Sequence, residues 1–393
     1  MTGVDPGPLT VAAYASDAAA TDQGSDSLSL SFPLLGLYGE TGSLLSVVKK
    51  KQRDSASFFG YAEAVGEELG DVLWYLATVA RRGGICLSAI AAAILDSSFN
   101  DWVRQDPNVT FEALQPDLMK HYGDPTPAFE GTLLQLAGEV GALLTDHQAG
   151  QLDGDQNALA AHLVKVLKRL VQAANEARAT LEAAAIKNRH KIFDRWPRER
   201  VFLEPFDLKS DPDERLPRHL TMDVFEKVVG EKAWVYQRCS GIFVGDRLTD
   251  NAVEPDDYRF HDVFHLAYVA VLGWSPVIRA LLKLKRKGEP AVDEAQDGAR
   301  ATLIEEGVTT WIFGQAQRLK FFDGLKAGDL PLDMLKHVRE FVAGYEVQDC
   351  PLWQWEEAIL QGYAAFRFLQ LHRRGRLTVD LENRRLSIEE LPV

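Results

Sequence analysis

Apolar residues recur at three-to-four spacing along most of the chain, as in Leu34, Leu35, Leu37, Leu44, Leu45 and Val48, and again in Leu69, Val72, Leu73, Leu76 and Val79. That period belongs to helices burying one face. It predicts a first helix over Val11 to Thr21, entered after Pro8 with Thr10 as cap, and a second opening near Pro33. A third runs from about Gly60 to Arg82 and stops at Gly83-Gly84, and a fourth covers Leu87 to about Trp102. Strand signals are few: a short stretch around Trp234 to Val244, and a hairpin in which Arg376 to Leu381 and Arg384 to Ile388 flank the turn Glu382-Asn383. The expected fold class is all-α in the main, with a small β-hairpin at the C-terminus.

A chain of 393 residues is long enough for two or three domains. Residues 103–129 carry Pro107, Pro116, Pro125 and Pro127 among Asp and Asn, the composition of a connection. After it the pattern restarts. Leu133-Leu134-Gln135-Leu136-Ala137-Gly138-Glu139-Val140-Gly141-Ala142-Leu143-Leu144 echoes Leu34-Leu35-Gly36-Leu37-Tyr38-Gly39-Glu40-Thr41-Gly42-Ser43-Leu44-Leu45, and Ala183-Ala184-Ala185-Ile186 echoes Ala91-Ala92-Ala93-Ile94. The shared G-E-x-G-x-L-L in one apolar frame points to an internal duplication. A second linker, rich in Pro, Asp and Arg, runs from Arg198 to Arg218, and the remainder is again mostly helical.

Composition narrows the options. With 46% hydrophobic and 25% charged residues, this is ordinary globular material. The formal charge of -14 disfavours long nucleic acid as a partner, because a polyanion would need a local basic patch. The best such run, Lys283, Lys285, Arg286 and Lys287 before Gly288, reads as a solvated helix end. Small nucleotides are compatible with an acidic protein when a divalent cation offsets their phosphates. Cys86, Cys239 and Cys350 are widely separated and imply neither a disulfide framework nor a metal site. The start, MTGVDPGPLT, lacks the features of a secretory signal, and the most apolar stretch, Leu266 to Leu282, is broken by Gly273, Pro276 and Arg279. The expectation is a cytoplasmic protein with no membrane span.

In the third helix, Glu67, Glu68 and Asp71 lie within about one turn of each other, next to apolar Leu69, Val72, Leu73 and Leu76. A carboxylate cluster beside a packed face repels itself unless a hard cation joins it, and Mg²⁺ takes oxygen ligands. Glu40, on another apolar-flanked helix, offers a further oxygen. An ordinary solvated acidic face is the plain alternative.

These residues carry a resemblance. Gly39-Glu40-Thr41-Gly42-Ser43-Leu44-Leu45 followed by Glu67-Glu68-Leu69-Gly70-Asp71-Val72-Leu73-Trp74-Tyr75-Leu76 resembles the ExxE and ExxD pattern of MazG-like, all-α nucleoside triphosphate pyrophosphohydrolases. Lys187-Asn188-Arg189-His190-Lys191-Ile192-Phe193-Asp194-Arg195 is similar to that family's closing K-N-x-x-K-x-x-x-R segment. The likeness spans residues 8–197. It implies a four-helix-type module made of two tandem repeats (8–110, and a degenerate 128–197), followed by a second, mainly helical domain at 218–393 in which no family is recognised. The second carboxylate of ExxE falls on Ser43, a poor ligand for Mg²⁺.

The implied activity is hydrolysis of (d)NTP to (d)NMP and pyrophosphate. On this resemblance Glu40, Glu68 (or Glu67 in its stead) and Asp71 would hold Mg²⁺, or Mn²⁺ in its place. Glu67 or Glu68, whichever is not a ligand, orients the attacking water. Lys187, Asn188, Lys191 and Arg195 face the phosphates or the nucleotide. Matching the frames sets His162 opposite Glu68, Lys165 opposite Asp71, and Leu95-Asp96 opposite Lys187-Asn188. The expected site is therefore composite: carboxylates from repeat one, cations from repeat two, as in a fused pair of symmetric subunits. A homo-oligomer is compatible with this reading.

In the C-terminal half, His261 and His265 share a helix face at a spacing that can bind a transition metal, and Asp293, Glu294, Asp297, Glu305 and Glu306 offer carboxylates downstream. A second metal site of His261, His265, Glu305 and Glu306 would make this half another metal-dependent hydrolase. Two histidines bonded to nearby carboxylates or backbone would look the same. Trp353, Trp355, Tyr363, Phe366 and Phe368 read as core or an oligomer face. Besides the hydrolase, two functions remain open: a nucleotide-binding regulatory module without turnover, and a helical scaffold.

Overall fold

The computed structural model describes residues 7–23, 29–116 and 126–391. It divides into two compact units, residues 1–193 and 194–393, each with its own contiguous core.

The first unit contains α1 (Val11–Ala20), α2 (Ser31–Asp54), α3 (Tyr61–Arg82), α4 (Leu87–Leu95), α5 (Phe111–Leu114), α6 (Phe129–Gln148) and α7 (Gln156–Glu176), and most of α8 (Leu181–Arg195). The Thr10 side chain accepts a hydrogen bond from the Ala13 amide and so caps α1. Pro33 sits in the first turn of α2, where its missing amide costs nothing. α4 stops at Leu95 instead of reaching Trp102, because the Asp96 side chain turns back to accept from the Ser98 amide at 2.9 Å and offers the chain a turn in place of a further helical bond. Of the connection expected over 103–129, residues 117–125, including Pro125, lie outside the described residues.

Two helical hairpins, α2 with α3 and α6 with α7, meet so that corresponding helices touch: α2 packs on α6 and α3 on α7. That is the contact pattern of a two-fold-related pair. The third helices cross over, for α4 packs on α7, and α8 lies on α3. Two glycines permit the close approaches. A Cβ on Gly36 would fall inside the Tyr75 ring, and one on Gly70 would stand 2.8 Å from the Ala184 carbonyl oxygen and 2.9 Å from the Asn188 Cβ.

The second unit combines α9 (Asp262–Leu272), α10 (Pro276–Leu282), α11 (Pro290–Ala295), α12 (Ala299–Arg318), α13 (Leu332–Phe341) and α14 (Leu352–His372) with a five-stranded antiparallel sheet. The strands are β1 (His219–Val229), β2 (Lys232–Cys239), β3 (Ile242–Phe243), β4 (Arg374–Asp380) and β5 (Arg385–Glu389), in the order β3-β2-β1-β4-β5. The C-terminal hairpin is thus β4 and β5, and it is the edge of a larger sheet: β1 pairs with β4 in the register Met222↔Leu377. One sheet face, carrying Leu220, Met222, Val224, Leu377 and Val379, is buried in the core shared with α9 and α14. Every residue of α9 from Val263 to Leu272 is buried, which is why the most apolar stretch of the chain is a core helix. Trp353, Trp355, Tyr363 and Phe366 are buried as well. No single helix among the described residues is long and apolar enough to cross a membrane.

Two local readings change. Residues 198–218 belong to the second unit, where Asp207 and Leu216 are buried. In the basic run after α10, Lys283 does end the helix in a left-handed conformation, yet Arg286 is buried and pairs with Asp297 at 2.6 Å and Glu346 at 2.8 Å.

Candidate functional site

Glu40 comes from the middle of α2, and Glu68 and Asp71 from one face of α3. Because the two helices run antiparallel past Gly36, a ligand oxygen from each of the three carboxylates lies within 4.8 Å of the others. Crowding has an electrostatic consequence. Partial burial, then the charges of Asp71 and Glu40, push the Glu68 carboxyl up to about 7. Burial, with Glu40 and Asp71, likewise raises the Tyr75 phenol.

α8 supplies the opposite charge. Asn188 Nδ2 donates to Asp71 Oδ1 at 2.9 Å, and the Lys191 ammonium bridges Asp71 and, at 3.0 Å, Glu67. Burial works against the charge on Lys191, but Asp71 and Glu67 outweigh it and hold the amine above its ordinary range. Lys187 is exposed and donates to the Glu63 carbonyl at 3.0 Å. It borders a shallow groove lined by Ala62, Gly66, Thr180, Ala183 and Ala184. Of the four residues expected to face phosphate, three therefore sit beside the carboxylate-bearing helix. Arg195 does not share their setting: it is buried in the second unit, donating to the Gly328 and Leu330 carbonyls at 2.9 and 2.6 Å and pairing with Glu356 at 3.3 Å. Glu67 is outside the three-carboxylate group.

In the second unit, His261, His265 and Glu306 each bring a ligand atom within 4.8 Å of the others. Glu305 is not among them. It lies behind His265, accepting from its Nδ1 at 2.8 Å. Asp297 is committed to Arg286. Full burial alone would lower the His265 pKa, but Glu305 and Glu306 reverse the sign and raise it well above the usual value.

Residues 201–392 match the family model of the MazG C-terminal domain. The C-terminal half is similar to the MazG C-terminal domain. The match supports a MazG-like family for the chain and a nucleotide-related role, and it falls on the half in which the sequence motifs showed no family. The likeness of the N-terminal half rests on its own motifs, since no family model separately covers it. No curated protein and no solved structure matches the chain.

Three residues that shape the first site were not among its expected members. The Tyr14 hydroxyl on α1 donates to Asn188 Oδ1 at 2.9 Å and so fixes which end of the amide faces Asp71. Asp17, one turn on, pairs with Arg189 at 2.5 Å. Tyr75 lies over Gly36. A tyrosine in the otherwise small-residue helix VAAYASDAAA was the one available signal for the first. In the C-terminal half, Tyr258, which stacks on His261 at 4.4 Å, was similarly silent.

Proposed function

We propose that the N-terminal unit is a Mg²⁺-dependent nucleoside triphosphate pyrophosphohydrolase, cutting (d)NTP to (d)NMP and pyrophosphate. One observation carries this reading: Glu40, Glu68 and Asp71 converge from two helices, while Asn188 and Lys191 of α8 meet the same Asp71. The donor set fits the ion. Three carboxylate oxygens with no nitrogen or sulfur suit a hard cation that keeps several waters, and Mn²⁺ accepts the same set. When bound, the ion would supply charge stabilisation at the phosphates and acidify a water.

The side chains do the rest. Glu40, Glu68 and Asp71 hold the ion, and Glu68 must lose its proton to do so. Asn188, pinned by Tyr14, keeps Asp71 oriented. Glu67, beside the group but not in it, accepts a hydrogen from the attacking water. Lys191 and Lys187 turn toward the phosphates, and the long lysine stem suits such a change of partner. The groove beside Lys187, lined largely by alanine and glycine, is where part of the nucleoside would rest. Arg195 has no part in this scheme.

A second reading, nucleotide binding without turnover, is favoured by Ser43 in place of a fourth carboxylate. The deciding experiment incubates the full chain with Mg²⁺ and a panel of nucleoside triphosphates and separates the products. Monophosphate and pyrophosphate, lost in Asp71→Asn with the fold retained, support the hydrolase. Tight binding with intact triphosphate selects the regulatory reading, and neither binding nor cleavage of any nucleotide overturns both.

A further inference from the structure

We propose that the C-terminal half binds a divalent transition-metal ion of the zinc class between His261 Nε2, His265 Nε2 and the Glu306 carboxylate. The inference is independent of the pyrophosphohydrolase reading, since it uses other residues and a different donor chemistry.

Ring orientation is the first argument. His261 Nδ1 lies 2.9 Å from the Tyr258 carbonyl oxygen, and His265 Nδ1 lies 2.8 Å from Glu305 Oε1. Both partners can only accept, so both Nδ1 atoms carry the proton and, in the neutral rings, both Nε2 lone pairs are free. Histidine metal ligands are oriented in this way, the second nitrogen donating to a carbonyl or carboxylate. The orientation is built in. Glu305 is fully buried and is itself fixed by the Ser275 hydroxyl at 2.7 Å and the Val277 amide at 2.8 Å, while His261 is held flat against Tyr258.

Spacing is the second. His265 Nε2 stands 3.6 Å from Glu306 Oε1, and His261 Nε2 stands 3.9 Å from Glu306 Oε2. These gaps are too long for hydrogen bonds. They approach the edge of about 3.3 Å that a tetrahedral zinc site with ligands at about 2.0 Å would show. The third argument is an unmet need: His265 Nε2 is buried without a hydrogen-bond partner. A buried polar atom left in that condition is destabilising, and a cation at the centre of the three donors removes the penalty.

Two nitrogens and a carboxylate are a borderline donor set that favours zinc, cobalt or nickel over magnesium. Asp262 Oδ1, 3.2 Å from His261 Nε2, is the nearest further oxygen, and otherwise the fourth position falls to water. The Glu306 side chain is 38% exposed while His265 is fully buried, so the ion enters from the Glu306 side. The rival arrangement has no metal, with protonated rings held by Glu305, Glu306 and Asp262.

The test uses chelator-treated full-length protein titrated with Co²⁺ and followed by its visible d–d absorption, with Zn²⁺ as competitor. Expected is one Co²⁺ per chain, displaced by one Zn²⁺. The band should be lost in His261→Ala and weakened at least about tenfold in affinity by Glu306→Gln, a partly exposed position where folding is not in question. It should persist in Asp71→Asn, which separates this site from the one in the N-terminal unit. A wild-type protein without the band, a band indifferent to both His261→Ala and Glu306→Gln, or one lost in Asp71→Asn overturns the proposal. So does a His265 Nε2 that still carries a proton, by nitrogen NMR, in the zinc-saturated protein.

Discussion

The two hairpins of the N-terminal unit share a frame and differ in their chemistry. In the first, Glu40, Glu68 and Asp71 converge and α8 runs on past them with Asn188 and Lys191. In the second, the matching positions hold Glu139, His162 and Lys165, and α4 ends at Leu95, where α8 would still be presenting its cations. His162 instead pairs with Asp146 of its own hairpin at 2.8 Å. Among the described residues no third metal-competent cluster exists beyond the two already placed. On the proposed reading, the chemistry draws a carboxylate face from one hairpin and a long third helix from the other. Burial first, and then Asp71 and Glu40, push the Glu68 carboxyl up to about 7, and shifts of that kind cluster at working sites.

The comparison breaks most directly at Asp71. Asp71→Asn should lower pyrophosphate release by about a hundredfold or more, as loss of a key charge-stabilising group does, with unchanged circular dichroism. Equal activity would remove the first hairpin's claim to the chemistry. Next in size, Lys191→Met should reduce kcat/KM by about tenfold or more, the scale of a charged hydrogen bond, whereas Lys165→Met at the matching position should leave steady-state rates within about twofold. If both lysines mattered equally, the asymmetry would be wrong.

Stability sharpens the same contrast. Gly70→Ala drives a methyl against the Ala184 carbonyl and should cost about 1–2 kcal/mol in denaturant unfolding, overpacking outweighing the helix-propensity gain. Gly138, with open space around it, should accept alanine with no loss and a gain of under about 1 kcal/mol. A smaller effect concerns pH. Glu68 near 7 binds a proton more tightly than in the unfolded chain, so without metal its contribution to stability falls as pH rises from about 4.5 to about 7. Mg²⁺ should therefore raise Tm more at pH 8 than at pH 5.5, and Glu68→Gln should flatten that difference. A Mg²⁺ effect independent of pH in both proteins would contradict it.

Local spacing made half of the site legible. Glu67, Glu68 and Asp71 are set on one face by helix geometry alone, and Glu40 stood out on a second apolar-flanked helix and through the family resemblance. Contacts between distant segments left no such trace. Tyr14 reaches Asn188 across 174 positions, and β1 finds its partner β4 more than 150 residues on, so a local reading saw the C-terminal hairpin and the stretch around Trp234 to Val244 but neither β1 nor the single sheet that joins them. Arg195 shows the opposite error: one turn after Lys191, it continues the basic spacing of α8, yet the boundary between the units falls after Phe193 and its guanidinium is used on Glu356. Arg286 likewise read as solvated, because its partners Asp297 and Glu346 come from elsewhere in the second unit.

The central claim is that one ion sits among Glu40, Glu68 and Asp71 and nowhere in the second hairpin. Mn²⁺ titration followed by electron paramagnetic resonance, with a triphosphate analogue that cannot be cut between its α and β phosphates, tests it. Binding should weaken at least about tenfold in both Glu40→Gln and Asp71→Asn and stay unchanged in Glu139→Gln. Mn²⁺ affinity that ignores the first two substitutions, or follows the third, would contradict the account.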